Sequence, residues 1–114
     1  MTQRTCIEQV VAAVPVVVFS KPWCPYCQKA LEALALEGLV SGENNNLLVI
    51  DLSKFPGRQM TQIQETYRQM TGRRTVPNVF VGGTSIGGGD ETSALHRKGE
   101  LRPLLIKAGA LAAS

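Results

Sequence analysis

Apolar residues recur along this chain in two alternating rhythms, and together they predict a layered α/β architecture. Ile7, Val10, Val11 and Val14 fall at i, i+3, i+4 and i+7, the stripe of a helix over residues 5–11 that Pro15 ends. Val16-Val17-Val18-Phe19 follows without a polar break, as expected of a strand buried on both faces. Cys27, Ala30, Leu31 and Leu34 return to the helical period, with Gly38 as the stop. After a polar loop at residues 41–46, Leu47-Leu48-Val49-Ile50-Asp51 reads as a second buried strand. A strand, a helix and a strand in this order imply a parallel pair with a right-handed crossover.

Met60, Ile63, Tyr67 and Met70 mark a third helix closing at Gly72. Val79-Phe80-Val81 and Thr84-Ser85-Ile86, separated by Gly82-Gly83, then read as a hairpin with a two-residue glycine turn. Past Gly87-Gly88-Gly89, Asp90 is expected to cap a short helix ending near Gly99, and Leu101, Leu104, Leu105 and Ala108 stripe a last one. The expected fold is therefore a four-stranded mixed β-sheet, a parallel pair plus an antiparallel hairpin, flanked by about five α-helices.

The 114 residues suit a single domain spanning residues 1–114, and 44% hydrophobic with 18% charged residues is a globular composition, not a disordered one. The longest apolar stretch, residues 10–19, is broken by Pro15 and falls short of a membrane span, so no membrane partner is expected. No secretory apolar region precedes the first helix, which leads to the expectation of a cytoplasmic protein. The net charge of +3 comes without a dense Lys/Arg run or an aromatic ladder, which argues against nucleic acid. Lys21, Lys29, Arg73 and Arg74 would favour a small anionic ligand if they converge.

The chemistry concentrates in Cys24-Pro25-Tyr26-Cys27, at the junction of the first strand and the second helix. Two thiols separated by two residues at such a junction suit reversible disulfide exchange. A helix N-terminus presents free N–H groups and the positive end of the helix dipole to Cys24, Pro25 costs nothing in the first turn, and Lys21 adds a charge. These features favour the thiolate at Cys24, which makes it the attacking thiol; Cys27, one turn inside, is the resolving thiol. A zinc site would need two further ligands, and only Cys6 and His96 remain, neither in a paired motif. Cys6 is expected to be a small buried residue of the first helix, and His96 a surface residue without a carboxylate partner.

Two further segments carry information. Thr75-Val76-Pro77 precedes a strand, where a cis proline would let the Val76 backbone pair with an extended peptide-like ligand. Gly87-Gly88-Gly89-Asp90-Glu91 lets backbone approach a ligand closely and opens a helix whose free N–H groups can hold a carboxylate.

Together, Lys21-Pro22-Trp23-Cys24-Pro25-Tyr26-Cys27, Thr75-Val76-Pro77 and Gly87-Gly88 with Asp90 resemble a dithiol glutaredoxin of the thioredoxin fold, over nearly the whole chain. The resemblance implies glutathione as co-substrate, no metal, and a glutathione-dependent thiol–disulfide oxidoreductase acting as a monomer on glutathionylated or disulfide-containing proteins. It implies that Lys21 and Gln64 face the glycine carboxylate of glutathione, and that Tyr26 is the aromatic inside the motif. Thr75, Val76 and cis Pro77 would serve the cysteinyl backbone, Asp90 and Glu91 the γ-glutamyl end, and Arg74 would be a basic neighbour. Trp23, Glu91 and Gly89 depart from the commoner residues of the family at those places. An alternative within the same resemblance is a glutathione-ligated [2Fe-2S] cluster carrier, against which the rigid first turn at Pro25 argues.

Overall fold

In a computed structural model, which describes residues 2–42 and 45–113, the elements run α1 (Gln3–Ala13), β1 (Val16–Ser20), α2 (Pro25–Leu36), β2 (Leu47–Asp51), α3 (Gly57–Thr71), β3 (Asn78–Val81), β4 (Thr84–Gly87), α4 (Gly89–Arg97) and α5 (Leu101–Lys107). A short 3₁₀ turn, Leu52–Lys54, links β2 to α3. Glu43 and Asn44, in the loop predicted at residues 41–46, lie outside the described residues.

The sheet order is β2-β1-β3-β4. β1 pairs parallel with β2 and antiparallel with β3, and β3 and β4 form the hairpin. Gly82 and Gly83 both take positive φ, 59° and 84°, which a two-residue turn following the twist of its strands requires.

Alternation along the central strands builds a core on each side of the sheet. Val16, Val18, Val79 and Val81 point to one face and pack with Ala30, Leu34, Leu101 and Leu105 of α2 and α5. Val17, Phe19 and Phe80 point to the other and meet Ile7 and Val11 of α1 and Ile63 and Tyr67 of α3. The continuous apolar run of β1 thus reflects a strand with a hydrophobic layer on both sides.

β2 departs from expectation. Only Leu47 is buried; Leu48 is exposed and the remaining residues are half-buried. Among the described residues the strand lies at the sheet edge, beside β1 only, and its flanks meet solvent. The start of α4 also differs: the cap is Gly88 and Asp90 sits in the first turn. The Glu91 carboxylate folds back to accept the Gly88 N–H at 2.7 Å, so the helix begins earlier than Asp90 would set it. Cys6 is exposed on α1, not buried. Among the described residues, no helix is long and apolar enough to cross a membrane.

Tyr67 ties the second core to the loop before β3. Its ring is fully buried, lies 5.1 Å from that of Phe19, and its hydroxyl donates to the Thr75 carbonyl at 3.0 Å. Burial pushes its pKa from 10.0 up to about 12. A phenol whose folded pKa is raised contributes stability that is complete below the unfolded value and is lost as pH rises towards the folded one. Urea unfolding midpoints should therefore fall steeply above about pH 10 in the native protein, and Tyr67→Phe should flatten that fall; equal slopes in the two proteins would contradict this assignment.

Candidate active site

The register of β1 against β3 brings the two chemical segments together. Phe19 faces Asn78, so the chain leaving β1 towards the cysteines runs beside the chain entering β3 from the Thr75-Val76-Pro77 loop. Trp23 takes φ 61°, uncommon for a bulky side chain, and its side chain is largely exposed. Cys24 then caps α2, with its sulfur accepting the Cys27 N–H at 3.3 Å, and Pro25 occupies the first helical turn.

The two thiols are unlike. Cys24 is partly exposed, and its Sγ lies 4.0 Å from the Val76 carbonyl oxygen, 52 positions away in sequence. Cys27 is 1% exposed. Burial, then the neighbouring Cys24 thiol, pushes the Cys27 pKa above its usual value, outweighing hydrogen bonds from Ser20 and the Lys21 backbone that act the other way. The structure therefore offers one thiol at the surface and holds the other in its protonated form one turn inside.

Beside Cys24 lies an open groove of about 290 Å³. Tyr26, Thr75, Val76, Pro77, Asp90 and Glu91 line it, together with Arg73 and Gly89, while Lys21, Gln64 and the cysteines stand outside that lining, Cys24 adjoining it through Val76. One wall is the loop before β3, in which the Val76–Pro77 peptide is cis. The other is the start of α4. Gln64 instead donates its side-chain amide to the Arg74 carbonyl at 3.2 Å, supporting the loop from behind.

A polar cluster under the loop escapes a reading by spacing. Asn78, fully buried, donates to the Thr71 hydroxyl at 3.3 Å and accepts from the Ser85 hydroxyl at 2.6 Å. The Thr71 hydroxyl in turn accepts the Arg73 N–H at 3.2 Å and donates to the Tyr67 carbonyl at 2.7 Å. A buried amide with partners on α3, β4 and the loop is costly to disturb, so it fixes the loop where Val76 faces the sulfur. The only sequence signal was a polar residue opening an otherwise apolar strand.

The acidic pair is also partnered. Lys29 reaches Asp90 at 2.7 Å, and Arg73 reaches Glu91 at 3.0 Å. Two of the basic residues noted in the sequence are thus each paired with a separate carboxylate of the groove wall, not gathered on one anionic site. His96 differs from expectation: it is half-buried, with its Nδ1 3.2 Å from the Glu37 carboxylate at the far end of α2, a pairing across 59 residues that no local pattern signals. Cys6 faces a separate apolar groove with Ile7, Val10 and Phe55, away from the thiol pair. Among the described residues, no three His, Cys, Asp or Glu side chains gather as metal ligands.

A buried nucleophile partner, a surface thiol capping a helix and a cis-proline loop across from it define a thiol–disulfide oxidoreductase of the thioredoxin fold. The glutaredoxin family model matches residues 16–86, and the chain belongs to that family. It is 42% identical to glutaredoxin-C2 of Arabidopsis thaliana, across 92% of this chain and 87% of the relative, and 41% identical to a glutaredoxin of Solanum lycopersicum, across 92% and 90%. Among solved structures, oxidized glutaredoxin 2 from Chlamydomonas reinhardtii superposes with a TM-score of 0.83 at 38% identity, covering 96% of this chain and 95% of that one. A buckwheat glutaredoxin–glutathione complex superposes at 0.82 with 37% identity, covering 96% and 93%.

Gly89 is where the groove is least tolerant. A Cβ there would stand 2.3 Å from the Tyr26 carbonyl oxygen, backbone against backbone, so any larger residue must push α4 away from the cysteine helix. Gly89→Ala should cost roughly 1–3 kcal/mol of stability, the usual range for overpacking. It should also weaken turnover of glutathione-containing disulfides; an unchanged thermal midpoint with unchanged turnover would refute the close approach.

Proposed function

We propose that this protein is a glutathione-dependent thiol–disulfide oxidoreductase that reduces protein–glutathione mixed disulfides and protein disulfides. The observation that carries this reading is the placement of the Cys24 sulfur at a helix N-terminus, 4.0 Å from a backbone carbonyl on the wall of an open groove. Relatedness to a chain solved as a glutaredoxin–glutathione complex supports glutathione as the tripeptide that occupies it.

The Cys24 thiolate attacks the glutathione sulfur of a protein–glutathione disulfide. The protein thiolate leaves and takes up a proton, and Cys24 is left joined to glutathione. A second glutathione thiolate attacks the glutathione sulfur of that adduct, glutathione disulfide departs, and Cys24 is regenerated. With a protein disulfide, Cys24 forms the mixed disulfide with the substrate. Cys27 then gives up its proton and attacks the Cys24 sulfur, which releases the reduced protein and leaves a Cys24–Cys27 disulfide for two glutathiones to reduce. Glutaredoxin couples lie at about −200 to −230 mV, within reach of the cytosolic glutathione pool.

Within the groove, Val76 offers backbone N–H and C=O to the cysteinyl residue, in the manner of an added strand. The free N–H groups opening α4 receive the γ-glutamyl carboxylate, with Asp90 and Glu91 at that end, and Tyr26 covers the middle. Lys21 and Gln64, outside the groove lining, meet the glycine carboxylate where the ligand extends past it. In this reading the protein acts as a monomer, and a lone redox pair suits a reducing compartment such as the cytoplasm.

The test is a coupled assay with glutathione, glutathione reductase and a glutathionylated peptide. Cys24→Ser should lose essentially all turnover, whereas Cys27→Ser should keep most of it, because the single-thiol route bypasses residue 27. Equal loss in both variants would overturn the mechanism.

A further inference from the structure

The Arg73 side chain bridges the two walls of the groove. Arg73, two residues ahead of Thr75, sends Nη2 across to the Glu91 carboxylate at 3.0 Å, while Nη1 lies 3.4 Å from the Thr75 hydroxyl. The same Glu91 oxygen accepts the Gly88 N–H at 2.7 Å, so a single carboxylate oxygen receives both the loop's guanidinium and the cap of α4. The junction is close: a Cβ on Gly88 would come within 2.8 Å of Arg73 Nη1 and 3.3 Å of the Pro77 carbonyl oxygen. Arg73 also lines the groove itself.

At its front the Cys24 sulfur lies 4.0 Å from the Val76 carbonyl, and the other side-chain holds on the loop come from behind it: Tyr67 through Thr75, Gln64 through Arg74, and Asn78 through Thr71. Those contacts fix the loop to α3 and the sheet. The β3–β4 pairing of Val79 with Gly87 hinges the loop to the start of α4 at the sheet, and the Arg73–Glu91 contact closes the remaining distance between them at the rim. That distance is the width of the groove at its Asp90–Glu91 end.

We propose that the Arg73–Glu91 ion pair is a latch that sets this width, making Arg73 a specificity-determining residue for the glutathione moiety of the substrate. This rests on the glutathione-dependent reading above. Arg73 is a positioning residue: it acts by holding Glu91 and Thr75 in register across the cleft, and it has no part in the chemistry at sulfur. Its charge also neutralises Glu91, as that of Lys29 neutralises Asp90, so the carboxylates at this end of the groove do not repel an incoming carboxylate. Loss of the latch widens the cleft and exposes an unpaired Glu91. Both changes weaken binding of the tripeptide and leave the thiol as reactive as before.

The experiment is a double-mutant cycle on Arg73→Met and Glu91→Gln, with Arg73→Lys as the conservative control. The glutamine keeps an acceptor for the Gly88 N–H while removing the charge. Three quantities are read in each protein: kcat and KM for a glutathionylated peptide in the glutathione-coupled assay, the rate at which iodoacetamide alkylates Cys24, and the thermal midpoint. Each single variant should raise KM by roughly two- to fivefold, the span of a partly exposed ion pair, and the double variant should raise it no further than the worse single. Arg73→Lys should recover most of the loss, and alkylation of Cys24 should keep its native rate throughout. An unchanged KM in Arg73→Met, multiplicative effects in the double variant, or alkylation slowed in step with turnover would each overturn the latch. A native protein that fails to turn over glutathionylated peptide would overturn the underlying reading instead, so the two failures are separable.

Discussion

The antiparallel pairing of β1 with β3 is the constraint on which the site depends. Neither strand carries a catalytic side chain, yet their register puts Phe19 opposite Asn78, and the segments that leave them must then meet at one edge of the sheet. One segment turns through Trp23 into the helix that Cys24 caps. The other arrives through Val76 and Pro77. The pairing is secured from both faces, by the valines of β1 and β3 packed on α2 and α5, and by Phe19, Phe80 and Tyr67 on the opposite side. A slip of one residue would send every one of these side chains to the wrong layer, so the hydrophobic pattern that builds the core also fixes where the sulfur faces the loop.

On that frame the two cysteines divide their labour through burial and through their places at the start of the helix. They share a helix turn, but the first stands at the helix entrance in contact with solvent and the second is packed beneath it, where desolvation holds its proton. An exchange reaction needs one thiol that meets substrates and one that stays silent until a mixed disulfide brings an electrophilic sulfur within reach. The fold supplies both from one tetrapeptide. Around them the charges at the groove rim are paired, Lys29 with Asp90 and Arg73 with Glu91, so the cleft presents oriented backbone groups instead of bare charge.

Periodicity made most of this architecture legible, because both central strands and the cysteine helix bury residues at regular intervals that leave their mark in the sequence. The thiol pair, the cis proline and the glycine loop were legible for a different reason: each places an unusual residue type at a position where backbone geometry or reactivity demands it. What escaped was set by tertiary neighbours. Leu47-Leu48-Val49-Ile50 carries as apolar a run as β1, but nothing in those residues says that the strand will lie at the sheet edge. Cys6 sits on the outward side of α1, and His96 finds Glu37 across the α2–α4 packing. Arg73 read as one of several basic residues; its importance arises from Glu91, 18 positions on, whose carboxylate is turned towards it by the helix cap.

The central claim, that the sulfur of residue 24 is the one atom through which disulfides enter and leave, is tested most directly by adduct mapping. The Cys27→Ser protein, reduced and then given limiting glutathione disulfide, is digested and the modified cysteine located by mass spectrometry. The account predicts glutathione on Cys24, with Cys6 unmodified until Cys24 is saturated. Glutathione found first on the exposed Cys6, or distributed evenly between the two thiols, would contradict it.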